Sequence, residues 1–161
     1  MIVIGDTCTI LFCARANLLK YLFNKYEKIY IPKFVETELG NATGNDKLTL
    51  IGFKFTVKDV DEDLIQGLDK GESDAIQLYK NIGADMLITD DTKAINFCKS
   101  NSINVKKFAS IFDMFLQESS DYAEIVRTAY MNRNILPKDF WIHMSKDSYD
   151  KFVEVIKETY E

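Results

Sequence analysis

Apolar and polar positions in this chain follow two alternating periods. Ile2-Val3-Ile4 is a short β-branched run, and after it Ile10, Leu11, Ala14, Leu18 and Leu22 recur at helical spacing. Ile29-Tyr30-Ile31 predicts a second strand, with Pro32 placed to open a helix and Gly40 to close it. Residues 41–46 are rich in Gly and Asn and read as a loop. Phe53, Phe55 and Val57 alternate with polar residues, the pattern of a half-exposed strand. Leu64, Ile65 and Leu68 fit a short helix. Ala75, Ile76, Tyr79 and Ile82 line one face of a better helix, between Gly71 and Gly83. Met86-Leu87-Ile88 is a buried strand, Ala94, Ile95 and Cys98 mark a helix, Val105 a last strand, and Ile111, Phe112, Phe115 and Leu116 the helix after it.

Strand–helix alternation of this kind predicts crossover connections: an α/β fold with a mostly parallel central sheet flanked by helices. From Ser119 the strands stop. Val126, Ala129 and Tyr130 suggest one helix, Pro137 interrupts, and Tyr149, Phe152, Val153 and Ile156 suggest another. The expected division is a domain over 1–118 and a C-terminal helical extension over 119–161. That extension should pack through Tyr130, Phe140, Trp141 and Phe152 on the domain or on a second copy, because isolated amphipathic helices need a partner surface.

Composition narrows the classes. The chain has 161 residues, 47% of them hydrophobic, including 11 Phe and 8 Tyr, enough for a core without disulfides or a structural metal. Its three cysteines form no CxxC pair and read as reduced thiols of a cytoplasmic protein. No apolar run reaches a membrane span, and the opening MIVIGDT lacks the basic start of a secretion signal. The net charge of −5 disfavours a nonspecific DNA-coating protein. It leaves room for a nuclease, because acids gathered at a metal site are neutralised when the metal binds.

The placement of the acids carries the chemistry. Asp6 follows the first strand, and Asp90 and Asp91 follow the strand at 86–88. Ligands of parallel α/β sheets bind beyond the carboxyl ends of strands. Helices starting at that rim add Glu36 and Glu38, and Glu72 and Asp74. Glu36 and Glu38 lie about 200° apart on a helix, so at most one of them faces the rim. Each acid alone has a plain reading as a helix cap or solvated turn. Together, acids from four segments would repel one another without a cation. A hard ion such as Mg²⁺ or Mn²⁺ suits oxygen ligands, and phosphodiester hydrolysis needs such an ion. Other chemistries lack their parts: His143 is the lone histidine, and there is neither GxGxxG nor GxxxxGK[ST].

Four segments together resemble the PIN-domain family: IVIGDTCTILF, IYIPKFVETEL, GESDAIQLY and LITDDTKA. The resemblance spans about the first 118 residues in the family's order. The GE-x-x-A-I and TDD forms and the segment LPKDFWIHMSKDSYDKFVEVI are closer to the compact prokaryotic PIN-like proteins than to the typical toxins of the family. It implies a PIN-like fold and an endonuclease that cuts single-stranded RNA with Mg²⁺ or Mn²⁺. It selects Glu38 over Glu36 and Asp74 over Glu72, and leaves Asp90 and Asp91 open as the fourth acid. Asp6, Glu38 and Asp74 would hold the metal, with Asp91 or Asp90 completing the site. Thr7, Thr89 and Glu72 would orient ligands or water from behind. Arg15, Lys33 and Lys93 are phosphate-binding candidates. The expected partners are RNA, an antitoxin protein if the chain is half of a toxin–antitoxin pair, and a second copy of the chain.

These roles make two demands. The carboxylates of Asp6, Glu38, Asp74 and one of Asp90 or Asp91 should converge on a common point. Changing Asp6 to Asn should abolish cleavage while the fold survives or gains stability. A non-catalytic scaffold on the same fold is the alternative. An aspartate-phosphorylated receiver is disfavoured by the Glu that follows the second strand.

Overall fold

In the computed structural model, which describes residues 1–138 and 140–161, five parallel strands form one sheet. They are β1 (Ile2–Ile4), β2 (Ile29–Pro32), β3 (Thr56–Lys58), β4 (Met86–Ile88) and β5 (Val105–Lys106), in the order β3-β2-β1-β4-β5. The chain winds outward from β1 through β2 to β3, then returns to the other side of β1 for β4 and β5. The reversal falls between β1 and β4, where a crevice opens at the carboxyl ends.

Side chains alternate across the sheet. Ile2, Ile4, Ile29, Ile31, Met86 and Ile88 enter one core, and Val3, Tyr30 and Leu87 enter the other. The first core is covered by α1 (Thr7–Arg15), α2 (Leu19–Lys25), α7 (Phe108–Glu118), α8 (Tyr122–Met131) and α9 (Lys146–Tyr160). The second lies under α5 (Lys70–Ile82) and α6 (Thr92–Ser100). Two further helices, α3 (Lys33–Leu39) and α4 (Gly44–Ile51), lead from β2 toward β3. No helix is long and apolar enough to cross a membrane among the described residues.

Three local expectations change. The apolar period from Ile10 to Leu22 is broken by Asn17, whose φ of 57° ends α1 and restarts the chain as α2. Residues 41–46 are only partly loop, because α4 begins at Gly44; the Arg15 guanidinium holds it by a fork to Asp46 at 3.2 and 3.0 Å. The segment around Leu64 to Leu68 forms no helix. Gly67 has φ of 89°, and the Ser73 hydroxyl accepts the Ile65 N–H at 2.9 Å, so α5 itself holds this loop.

The tail helices pack on the domain. Phe112 of α7 meets Phe140 at 5.0 Å between ring centroids and Phe152 of α9 at 6.3 Å, and Trp141 stacks on Phe152 at 6.2 Å. Val126 and Ala129 of α8 are buried in the same core as Ile2 and Ile4. Tyr130 is half-buried against that core and packs on Tyr160 at 4.9 Å.

Two outcomes follow for stability. Phe112→Ala removes the ring at the centre of this cluster and should cost about 3–5 kcal/mol in thermal or denaturant unfolding. Truncation after Glu118 uncovers Phe112, Phe115 and Leu116 and should leave no cooperative transition; a cooperatively melting 1–118 fragment would show the tail to be dispensable.

Candidate metal centre

The rim takes its shape from the end of β1. At Gly5 a Cβ would fall 3.1 Å from the Ala75 Cβ and 3.3 Å from Leu87 Cδ1. The missing side chain lets α5 close on the strand and brings its first turn to the rim. Asp6 follows as the cap of α1: its Oδ1 accepts the Thr9 N–H at 2.6 Å. Its Oδ2 accepts the Asp90 N–H at 2.9 Å and the Thr89 hydroxyl. One carboxylate therefore ties the end of β1 to the end of β4. Thr9 is fully buried, and its hydroxyl donates to Asp90 Oδ2 at 2.7 Å. Both Asp90 oxygens also accept the Phe108 N–H at 3.3 Å. Asp91 caps α6 by accepting the Ala94 N–H at 2.9 Å, and its own N–H donates to Thr89 Oγ1 at 3.2 Å. Glu38 on α3 is reached by the Thr7 hydroxyl, which donates to it at 3.0 Å.

These groups wall two adjoining cavities. Asp6, Thr7, Cys8, Glu38, Asp90 and Asp91 line one of about 320 Å³. The other, of about 210 Å³, is bounded by Gly5, Phe34, Val35, Asp69, Gly71 and Glu72, and again by Asp6, Glu38 and Asp91. The three shared acids form the partition, and among the described residues neither wall carries a Lys, Arg or His. A larger groove of about 520 Å³ between α3, α4 and β3 is mainly aliphatic and aromatic and gathers no comparable set of acids.

Burial and crowding raise proton affinity at this rim. The Glu72 carboxyl is pushed up by burial and then by the Asp91 carboxyl in hydrogen-bonding contact with it; the backbone N–H of Asp69 opposes the shift. Asp90 is pushed up by burial, with Asp6 adding to it, while Thr9 and Phe108 pull the other way. The Cys8 thiol is raised by burial and by Asp6, Glu38 and Asp90, which keeps it protonated at neutral pH.

The expected convergence on one point is corrected. Among the described residues, no three His, Cys, Asp or Glu side chains close into a ready-made ion cage. Each acid is drawn back by a donor of the protein: Asp6 by Thr9, Thr89 and Asp90, Asp91 by Ala94, Glu38 by Thr7, Glu72 by Asp69. The donor set still fits a hard cation. Mg²⁺ keeps several waters and takes only one or two carboxylates directly. The described lining offers oxygen ligands and no basic side chain, and a cation between Glu72 and Asp91 would offset the repulsion of their carboxylates.

Four other residues stand away from their expected places. Asp74 is only 4% exposed, accepts from Lys70 Nζ at 3.0 and 3.4 Å, and lines neither cavity; Glu72 takes the position against Asp91. Arg15 is bound by Asp46 and by the Ile135 carbonyl at 3.1 Å, so its guanidinium is engaged as a strut between α1 and α4. Lys33 donates to Glu36 at 2.6 Å. Lys93 is exposed on the first turn of α6, outside both cavities. Sequence reasoning passed over Thr9, Cys8, Phe34 and Asp69. Asp69 had a readable signal, since Asp69 and Glu72 have the spacing of a capping box and form one.

Two unfolding measurements in EDTA at pH 7.5 should move in opposite directions. Asp6→Asn, contrary to the stability expected for it, should cost about 1–3 kcal/mol. An amide accepts on one side only, so its NH₂ would face a backbone N–H. Glu72→Gln should raise Tm by a few degrees, because the amide donates to Asp91 and still caps α5. That gain should shrink toward pH 5. A carboxyl whose folded pKa is raised loses stability as pH rises through it, so wild-type Glu72 recovers on acidification by taking up its proton. Equal shifts for both variants would contradict this geometry.

A family profile of PIN domains matches residues 2–158, nearly the whole chain, including the tail helices. None of the curated proteins compared matches it. The all-parallel sheet, the acids at its carboxyl rim and this match agree: the chain belongs to the PIN-domain family, a nuclease-type fold.

Proposed function

We propose that this protein is a metal-dependent endoribonuclease that cuts single-stranded RNA with water. The observation that carries the reading is the pair of adjoining cavities walled by Asp6, Glu38, Glu72, Asp90 and Asp91, whose described lining holds no basic side chain, with Lys107 acting on Asp90 from outside it. Phosphodiesters are anionic, so such a site can receive one only through a cation.

Asp6, Glu38 and Asp91, which face both cavities, would hold Mg²⁺ or Mn²⁺ together with Glu72. The bound ion supplies activation of water and offsets negative charge on the phosphate. Thr89 and Thr7 fix the orientation of Asp6 and Glu38 through their hydroxyls. Asp90, with its raised proton affinity and its anchor to Thr9, is placed to accept the proton of the attacking water at its carboxylate. Lys93, exposed on the first turn of α6 outside both cavities, is the remaining phosphate candidate. This assignment moves the third acid from Asp74 to Glu72.

The test is cleavage of labelled single-stranded RNA in Mg²⁺ or Mn²⁺, stopped by EDTA. Three variants keep shape while removing charge: Glu38→Gln, Glu72→Gln and Asp91→Asn, the last because Asn caps a helix as well as Asp. Each should lose at least the roughly 10–100-fold that loss of a supporting group costs at metal sites. Asp74→Asn should lose far less, and the reverse order would restore Asp74 as the ligand. The rate should fall toward acid pH, as Asp90 becomes protonated and can no longer accept a proton. Wild-type protein inert toward a broad RNA panel would leave the non-catalytic scaffold.

A further inference from the structure

Phe34 stands in the wall of the second cavity, beside Asp6, Glu38, Glu72 and Asp91. It is 42% exposed, whereas its neighbour Val35 is buried in the core. The ring is braced on the first turn of α5: a Cβ on Gly71 would fall 3.0 Å from Phe34 Cε1 and 3.1 Å from Cδ1. Gly71 thus leaves room for the ring edge, and the rest of the ring stays open at the mouth of an acid-walled cavity. The exposed part of the ring has no partner in the core clusters. Beside a site for a backbone phosphate it offers a π-surface to the adjoining base.

We propose that Phe34 is a stacking platform for an unpaired nucleobase of single-stranded RNA, setting the adjoining phosphodiester at the acid cavity. The inference takes the nature of the ligand from the nuclease reading above, but its own test does not need turnover. Stacking on an aromatic tolerates any base, because every base has a π-face. A duplex keeps its bases in its own stack, so the platform selects single strands without selecting sequence.

The test uses the full chain, with Ca²⁺ in place of the Mg²⁺ or Mn²⁺ of the cleavage assay, and a single-stranded RNA oligonucleotide carrying 2-aminopurine, whose fluorescence is quenched on stacking; the oligonucleotide is checked intact afterwards. Wild type and Phe34→Tyr should bind and quench. Phe34→Ala and Phe34→Leu should each bind on the order of ten-fold more weakly and lose the quench. Leu retains an apolar cover for Gly71, so it separates stacking from packing, and melting curves confirm that the variants fold. Binding of the matching duplex should be the same for wild type and Phe34→Ala. Phe34→Ala or Phe34→Leu that binds and quenches like wild type overturns the proposal, as does wild type that never quenches. A wild type that quenches but does not cut removes the nuclease reading and leaves Phe34 its role. One that cuts equally well as Phe34→Ala removes the role of Phe34 alone.

Discussion

The two oxygens of Asp6 accept hydrogen bonds from three donors, the Thr9 N–H, the Thr89 hydroxyl and the Asp90 N–H. Through the first, Asp6 starts α1. Through the other two it fixes the turn that leaves β4, and with it the positions of Asp90 and Asp91. The side-chain-free Gly5 just before it lets α5 close on β1, which brings Glu72 to Asp91. Most of the rim is therefore referred to one carboxylate. Its hydrogen bonds hold the acids at fixed places and also keep them from collapsing onto one point.

The same arrangement concentrates negative charge. Burial raises the proton affinity of Glu72 and Asp90, and the facing carboxylates add to it. A fold selected for stability alone would put a basic side chain on these walls, as it does elsewhere with Arg15 and Asp46 or Lys25 and Glu118. Perturbed carboxyls grouped in a cleft are the usual mark of a functional site. The aliphatic and aromatic packing of α7, α8 and α9 against the sheet offsets that repulsion from a distance.

Much of this was legible in the amino-acid order. Ile2-Val3-Ile4 and Met86-Leu87-Ile88 announce buried parallel strands, and the acids after them mark the rim. What was not legible depended on backbone angles and tertiary approach. Asn17 splits an apolar period that looks continuous, and Gly67 unmakes a helix whose apolar spacing is sound. Glu72 and Asp74 lie about 200° apart on α5, so only one can face the site. The spacing of the Asp69–Glu72 capping box was readable, but the closeness of α5 to Gly5, which carries Glu72 to the rim, does not follow from spacing. The family pattern pointed to the other residue. Cations near the rim in sequence were equally undecided, because Arg15 finds Asp46 thirty-one positions away.

The central claim is that this acid rim is a site for a hard divalent ion. Titration with Mn²⁺, followed by the paramagnetic resonance signal of the free ion, tests it without any substrate. Saturable uptake by wild type at neutral pH, displaced by Mg²⁺ and strongly weakened in Asp91→Asn, is the predicted result. Uptake that is absent, or unchanged in Asp91→Asn and Glu38→Gln alike, would contradict the account.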